Sequence, residues 1–153
     1  MKVKESYTKT LLHVTKFQCV ILDMDSILSQ PIGEDWENMA NHAPIQPILD
    51  LAQTLYNHGY DLVISTARPE ANRPETEEWL QKHLPQYAAL YMRNDFVKAT
   101  TMKEEALLDI DEIWDVAFAI DDSPFNCDIY NDHGVICLRP TTNEEYWNTK
   151  GDH

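Results

Sequence analysis

Positive charge is scarce in this sequence. Against 26 Asp and Glu stand 12 Lys and Arg, a formal net charge of −14. A field of that sign repels polyanions, which argues against a long nucleic-acid footprint and against attachment to an anionic membrane. Cysteine is too sparse for a framework: Cys19, Cys127 and Cys137 are odd in number and form no CxxC pair. Neither a disulfide scaffold nor a zinc knuckle is expected, and a reducing cytoplasm fits best. No apolar run is long enough to cross a bilayer, and the basic start Met1–Lys16 lacks the continuous apolar stretch of a signal peptide. Residues 1–16 read as an N-terminal extension ahead of a single domain over 17–153. The sequence has no Pro/Gly/Ser-rich tract and no internal repeat, which excludes a linker or a solenoid. It also has no GxxxxGK[ST] loop, which leaves ATP-dependent phosphorylation of the Walker type without support.

What is present is ordinary globular chemistry, 43% apolar and 25% charged. Phe17 to Leu22 is an apolar, β-branched run that stops at Asp23, as a buried parallel strand does when it delivers polar groups at its carboxyl end. A polar loop bearing Trp36 follows. Pro44 to Tyr56 then places Ile45, Ile48, Leu49, Ala52 and Leu55 at helical spacing before the stop Asn57-His58-Gly59. Asp61 to Ile64 predicts a second strand ending at Ser65-Thr66, and Pro74 to Leu84 a helix with Trp79, Leu80 and Leu84 inward. Ala88 to Met92 is a third strand, Met102 to Ile110 a short helix, and Val116 to Ile120 a fourth strand that stops at Asp121-Asp122. A helix over Pro124 to Asn131 and a strand over Val135 to Leu138 complete the alternation. Strand and helix in strict turn predict an α/β fold, a doubly wound, Rossmann-like parallel sheet between two helical layers. In such a sheet ligands bind beyond the strands' carboxyl ends, and those ends carry Asp23, Thr66, Arg93 and Asp121.

Asp23-Met24-Asp25 leaves a buried strand directly, so one carboxylate can attack while the other handles protons. An aspartate in line with a phosphorus atom forms an aspartyl-phosphate and divides a hard hydrolysis into two easier steps. Asp25 would protonate the leaving oxygen and later deprotonate the attacking water. Asp121 and Asp122 end another strand, and the four carboxylates Asp23, Asp25, Asp121 and Asp122 make a hard-oxygen site suited to Mg²⁺. Without a cation they would repel one another and an anionic substrate alike. Thr66, ahead of Ala67-Arg68, offers a hydroxyl for phosphate oxygens, and Lys103 a point charge beside the transferring group. A hydroxyl after a strand is also a common helix cap, and a lysine a common surface group.

In order along the chain, Asp23-Met24-Asp25-Ser26-Ile27, Ile64-Ser65-Thr66, Lys103 and Ala119-Ile120-Asp121-Asp122 resemble the four motifs of the haloacid dehalogenase superfamily of phosphohydrolases. Thr66 takes the phosphate-binding place because a small residue and an arginine follow it; Ser65 is the alternative. Ser26 and Ile27 depart from the Gly-Thr that commonly follows the second aspartate, which touches the loop rather than the chemistry. Within the superfamily, Thr66 to Glu70, Arg73 to Leu80, Leu90 to Arg93 with Met102 to Glu105, and Asp121-Asp122 with Cys137-Leu138 resemble the phosphatase domain of phage-type polynucleotide kinase/phosphatase. The resemblance implies removal of a terminal phosphate from a nucleotide or a nucleic-acid 3′ end. It casts Arg68, Arg93, Lys98 and Arg73 as substrate-holding groups.

The intervals after the first motif and between the second and third are too short for a cap domain, so an open, essentially capless site is expected. Trp36 either packs on its rim to exclude water or stacks on a base. His42, His58, His83 and His133 lack ligand spacing and read as surface or capping residues, while Trp79, Trp114 and Phe118 read as core. Tyr146-Trp147 would pack the tail or meet a partner. Two non-catalytic readings compete: a receiver-like phosphate module, which wants its acceptor on the third strand, and a degenerate fold member that only binds.

Overall fold

The computed structural model describes residues 15–141; the tail pair Tyr146-Trp147 and most of the N-terminal extension lie outside that range. Among the described residues, seven strands and four α-helices follow in order: β1 (Gln18–Leu22), β2 (Ser29–Gln30), β3 (Ala43–Pro44), α1 (Gln46–Asn57), β4 (Asp61–Pro69), α2 (Arg73–His83), β5 (Ala89–Arg93), α3 (Ala99–Ile113), β6 (Asp115–Ile120), α4 (Pro124–Asp132) and β7 (Cys137–Leu138). Five of the strands form one sheet in the order β5-β4-β1-β6-β7, parallel at every pairing. The expected α/β architecture is present.

Strand β1 is central, so both of its faces are covered, and Cys19 through Leu22 are all buried. Its period of two divides the core. Val20 and Leu22 pack with Leu49 and Ala52 of α1 and Trp79 and Leu80 of α2, whereas Cys19 and Ile21 pack with Met102, Ala106 and Ile110 of α3 and Tyr130 of α4. Helices therefore lie on both faces. Trp114 and Phe118, expected as core, are only partly buried at its edge. No described helix is long and apolar enough to cross a membrane.

The chain leaves β1 for β4 and β5 on one side, then returns to β6 and β7 on the other. That reversal opens a crevice beyond the carboxyl ends of β1 and β6. Several helix ends carry the signals the sequence offers. Pro47, Pro74 and Pro124 sit in first turns, Ser123 caps α4 by accepting from the Asn126 amide, and Gly59 closes α1 at a φ of +103° that other residues rarely adopt.

Three elements differ from expectation. Strand β4 runs on to Pro69, past the expected end, because its ladder to β5 slips between Ser65 and Pro69 and lets the chain continue extended beyond the rim. Helix α3 gains a turn at each end, where Thr100, Thr101, Asp111 and Glu112 give no apolar signal. The Trp36 loop is not wholly irregular: β2 and β3 pair antiparallel across a 3-10 turn at Met39–Asn41.

Candidate active site

Two parallel ladders set the centre of the site. The Asp23 amide donates to the Ile120 carbonyl at 3.0 Å and the Asp121 amide to the Leu138 carbonyl at 3.2 Å, so the first residues past β1 and β6 stay side by side. Asp23, Asp121 and Asp122 each bring a carboxylate oxygen within 4.8 Å of the others. Lys103 projects from the inner stripe of α3 with its side chain wholly buried. Its Nζ donates to Asp23 Oδ1 at 2.9 Å, to Asp121 Oδ2 at 2.9 Å and to the Ser65 carbonyl. All three ammonium hydrogens are thereby used.

Asp121 is held from several directions. It accepts from the Ser123 amide at 2.9 Å and from Asn126 Nδ2 at 3.1 and 3.2 Å. Burial is the main force raising the Asp23 pKa, to about 7; Lys103 pulls it down while Asp121 and Asp122 push it up. Burial, then repulsion from Asp121, also raises Asp122. Burial opposes the charge on Lys103, but Asp23, Tyr130 and Asp121 outweigh it and the ammonium is held above its ordinary range. One lysine thus faces three carboxylates, and an all-oxygen donor set short of positive charge fits a hard divalent cation such as Mg²⁺.

Asp25 stands apart from that cluster, contrary to the expectation that it joins the cation ligands. Arg68 spans its carboxylate with Nε at 3.2 and 3.1 Å and Nη2 at 2.6 Å, which turns the charge toward a guanidinium instead. Arg68 was expected to hold substrate, yet it is buried and further engaged with Thr76 Oγ1, Ser29 Oγ and His42 Nδ1. His42 departs from the expected surface role as well. It is buried, faces Arg68 at 3.3 Å, and its carbonyl accepts from Trp79 Nε1 at 2.8 Å.

Thr66 is buried at the cavity wall, and its Oγ1 accepts from the Arg68 amide at 3.2 Å, while Ser65 gives its carbonyl to Lys103. Arg93 ties two backbone carbonyls, Ala67 at 2.9 Å and Val97 at 3.2 Å. Lys98 is exposed at the start of α3. Arg73 lines a different recess with Tyr91 and Glu105 and is paired with Glu70 and Glu77, so the structure does not bring it to the site. The site opens into a cavity of roughly 540 Å³ whose lining includes Asp23, Asp25, Trp36, Thr66, Asp122 and Phe125.

Asn126, His42, Ser29 and Thr76 are the members that the sequence reading missed. Asn126 had a faint signal, since it stands at the third helical position of α4 just past Asp121-Asp122. The other three act on Arg68 from remote segments and leave no local pattern.

Comparison with known proteins agrees with this geometry. The family of the polynucleotide kinase PNKP phosphatase domain matches residues 17–144. No curated protein sequence matches. A chain in the structure of the Pnkp1/Rnl/Hen1 RNA repair complex is 26% identical with a TM-score of 0.75, over 82% of this chain and 42% of that one. This protein therefore spans somewhat under half of that relative's length. The fold alone is shared with D,D-heptose 1,7-bisphosphate phosphatase from B. bronchiseptica, complexed with magnesium and phosphate, at 16% identity and a TM-score of 0.66 over 88% and 87% of the two chains. It is also shared with a class C acid phosphatase from Bacillus anthracis with tungstate bound, at 14% identity and a TM-score of 0.61 over 92% and 73%. The chain belongs to the family of the polynucleotide kinase PNKP phosphatase domain, within the haloacid dehalogenase superfamily.

Proposed function

We propose that this protein is a phosphatase that hydrolyses the terminal phosphomonoester of a nucleotide or a nucleic-acid end, with Asp23 as the nucleophile and Mg²⁺ as the cofactor. The observation that carries this reading is the single ammonium of Lys103 shared by Asp23 Oδ1 and Asp121 Oδ2 at the switch point of the sheet. With Oδ1 committed to Lys103, Oδ2 of Asp23 remains to attack phosphorus, forming the aspartyl-phosphate as the bond to the ester oxygen breaks. Asp23, Asp121 and Asp122 would hold the cation. When bound, Mg²⁺ supplies positive charge against the phosphoryl oxygens and the carboxylate cluster.

Asp25 donates a proton to the leaving oxygen in the first step and takes one from water in the second. The Arg68 fork fixes that carboxylate beside the cavity, and donation requires the fork to loosen. Thr66 Oγ1 already accepts from the Arg68 amide, so its own hydrogen is available to a phosphoryl oxygen. Ala99 and Thr100 place the positive end of α3 at the cavity wall, where it favours the same anion. Membership of the PNKP phosphatase family and likeness to a chain of an RNA repair complex support a nucleotide or nucleic-acid end as substrate.

The test is phosphate release from nucleoside monophosphates and from a 3′-phosphorylated oligonucleotide in Mg²⁺, with and without EDTA. Asp23→Asn is expected to abolish turnover at little change in shape, and EDTA to do the same reversibly. Turnover that survives the substitution would refute the nucleophile.

A further inference from the structure

The catalytic cavity has an unusual apolar mouth. Trp36 is 54% exposed and Phe125 71% exposed, yet both line the cavity that holds Asp23. They come from unrelated segments, Trp36 from the stretch between β2 and β3 and Phe125 from the first turn of α4. The Trp36 ring meets the edge of His42 at a centroid distance of 6.2 Å and an interplanar angle of 82°, and His42 is buried against Arg68. Phe125 precedes Asn126, which holds Asp121 through its side-chain amide. Trp36 is therefore one contact from a residue of the reaction centre, and Phe125 is the chain neighbour of another.

Among the described residues, three cations near the cavity are engaged inward, and Lys98, exposed at the start of α3, is left facing solvent. Arg68 serves Asp25, Thr76 and Ser29; Lys103 serves Asp23 and Asp121; Arg93 serves backbone carbonyls. With a net charge of −14 besides, the protein has little with which to grip a row of phosphodiesters. Grip on whatever carries the phosphate calls for a source besides ion pairing. Exposed aromatic faces supply it for an unpaired nucleobase, whose π-face stacks irrespective of base identity. A cavity of roughly 540 Å³ lies within the size range of small-molecule sites.

We propose that Trp36 and Phe125 form a base-stacking mouth that selects phosphomonoesters next to an unpaired nucleobase. This deepens the phosphatase reading above and rests on it. The free nucleotide and the single-stranded end share this chemistry; a paired end, whose base is already stacked, does not. Because stacking rather than ion pairing provides the grip, KM should respond only weakly to salt.

The test compares kcat/KM of the full chain on a nucleoside 3′-monophosphate, the same sugar phosphate without its base, a 3′-phosphorylated single strand and the same strand in a blunt duplex. The base-bearing unpaired substrates are expected to be preferred, and Trp36→Ala or Phe125→Ala to cut that preference about tenfold, with Trp36→Phe retaining most of it. Equal rates with and without a base, or preference undiminished in both alanine variants, would overturn the proposal, as would a duplex end cleaved as well as the single strand. The mononucleotide and single-strand arms separate the two sources of the base. Binding to the Asp23→Asn protein, read as quenching of tryptophan fluorescence by nucleotide but not by sugar phosphate and lost in Asp23→Asn/Trp36→Phe, tests stacking apart from turnover. Quenching without wild-type hydrolysis would uphold the mouth and sink the phosphatase substrate; hydrolysis without quenching or base preference would do the reverse.

Discussion

At Lys103 an ammonium with no exposed surface spends its hydrogens on two carboxylates and a carbonyl. Attraction alone does not make such a group stabilising, because desolvation opposes it; what is costly is removing one side only. Lys103→Met keeps the stem of the side chain but leaves Asp23 and Asp121 facing each other without a counter-charge. Unfolding in urea without divalent cation is expected to show a loss of about 3 kcal/mol, at the lower end for a broken buried pair since Asp23 keeps some solvent. A loss under about 0.5 kcal/mol, the level of an ordinary surface substitution, would mean that the lysine is not holding the two strand ends. Ser26 shows the opposite economy. It sits at a φ of +66°, where glycine carries no penalty, and its amide bonds the Ser29 carbonyl at 2.8 Å to close the turn after Asp25. The departure from the superfamily's usual glycine is thus accommodated by backbone strain in a tight turn, without displacing the aspartates.

The antiparallel pair β2 and β3 is too short to be stable alone and relies on α2. The direct link is Trp79 Nε1 to the His42 carbonyl at 2.8 Å, and Arg68 of β4 bridges the two elements by donating to Ser29 Oγ at 3.1 Å and to Thr76 Oγ1 at 3.2 Å. Trp79→Phe leaves the His42 carbonyl without its donor and is expected to cost about 1–3 kcal/mol. Amide exchange should accelerate around residues 38–44 while β1 stays protected; uniform acceleration across the sheet would show that Trp79 acts only as core volume. This element also marks the limit of what the residue pattern discloses. Strand β1 and helix α1 are legible because apolar spacing is dictated by burial on two faces or on one stripe. Strand pairs of two residues carry no such period, so β2 and β3 are invisible until His42 is seen beneath Trp36. The same contrast runs through the site. Asp23, Asp25, Asp121 and Asp122 stand out because acids seldom end buried strands without a task, whereas the partition of Asp25 to Arg68 and of the others to Lys103 depends on side-chain directions from four remote segments.

Over the whole molecule acid is in excess, and a small part of it sits where the fold tolerates it least. Three carboxylates meet at one point with a single buried ammonium between them. Asp23, raised mainly by burial from an ordinary value of 3.8 to about 7, binds its proton more tightly folded than unfolded. The sign follows from that difference. Its contribution to stability is fully present below the unfolded value and fades as pH rises through about 7, so the metal-free protein loses stability across that window as the carboxylate is forced to ionise beside Asp121 and Asp122. A divalent cation reverses the penalty only where the carboxylate is ionised. The rise in Tm on adding millimolar Mg²⁺ should therefore be larger at pH 8 than at pH 5.5, and Asp23→Asn, which has no proton to lose, should remove most of that pH dependence. Equal Mg²⁺ shifts at the two pH values would mean that the cation acts on the diffuse surface charge rather than on this cluster. High monovalent salt separates these causes further, because it screens exposed acids strongly and a buried cluster little.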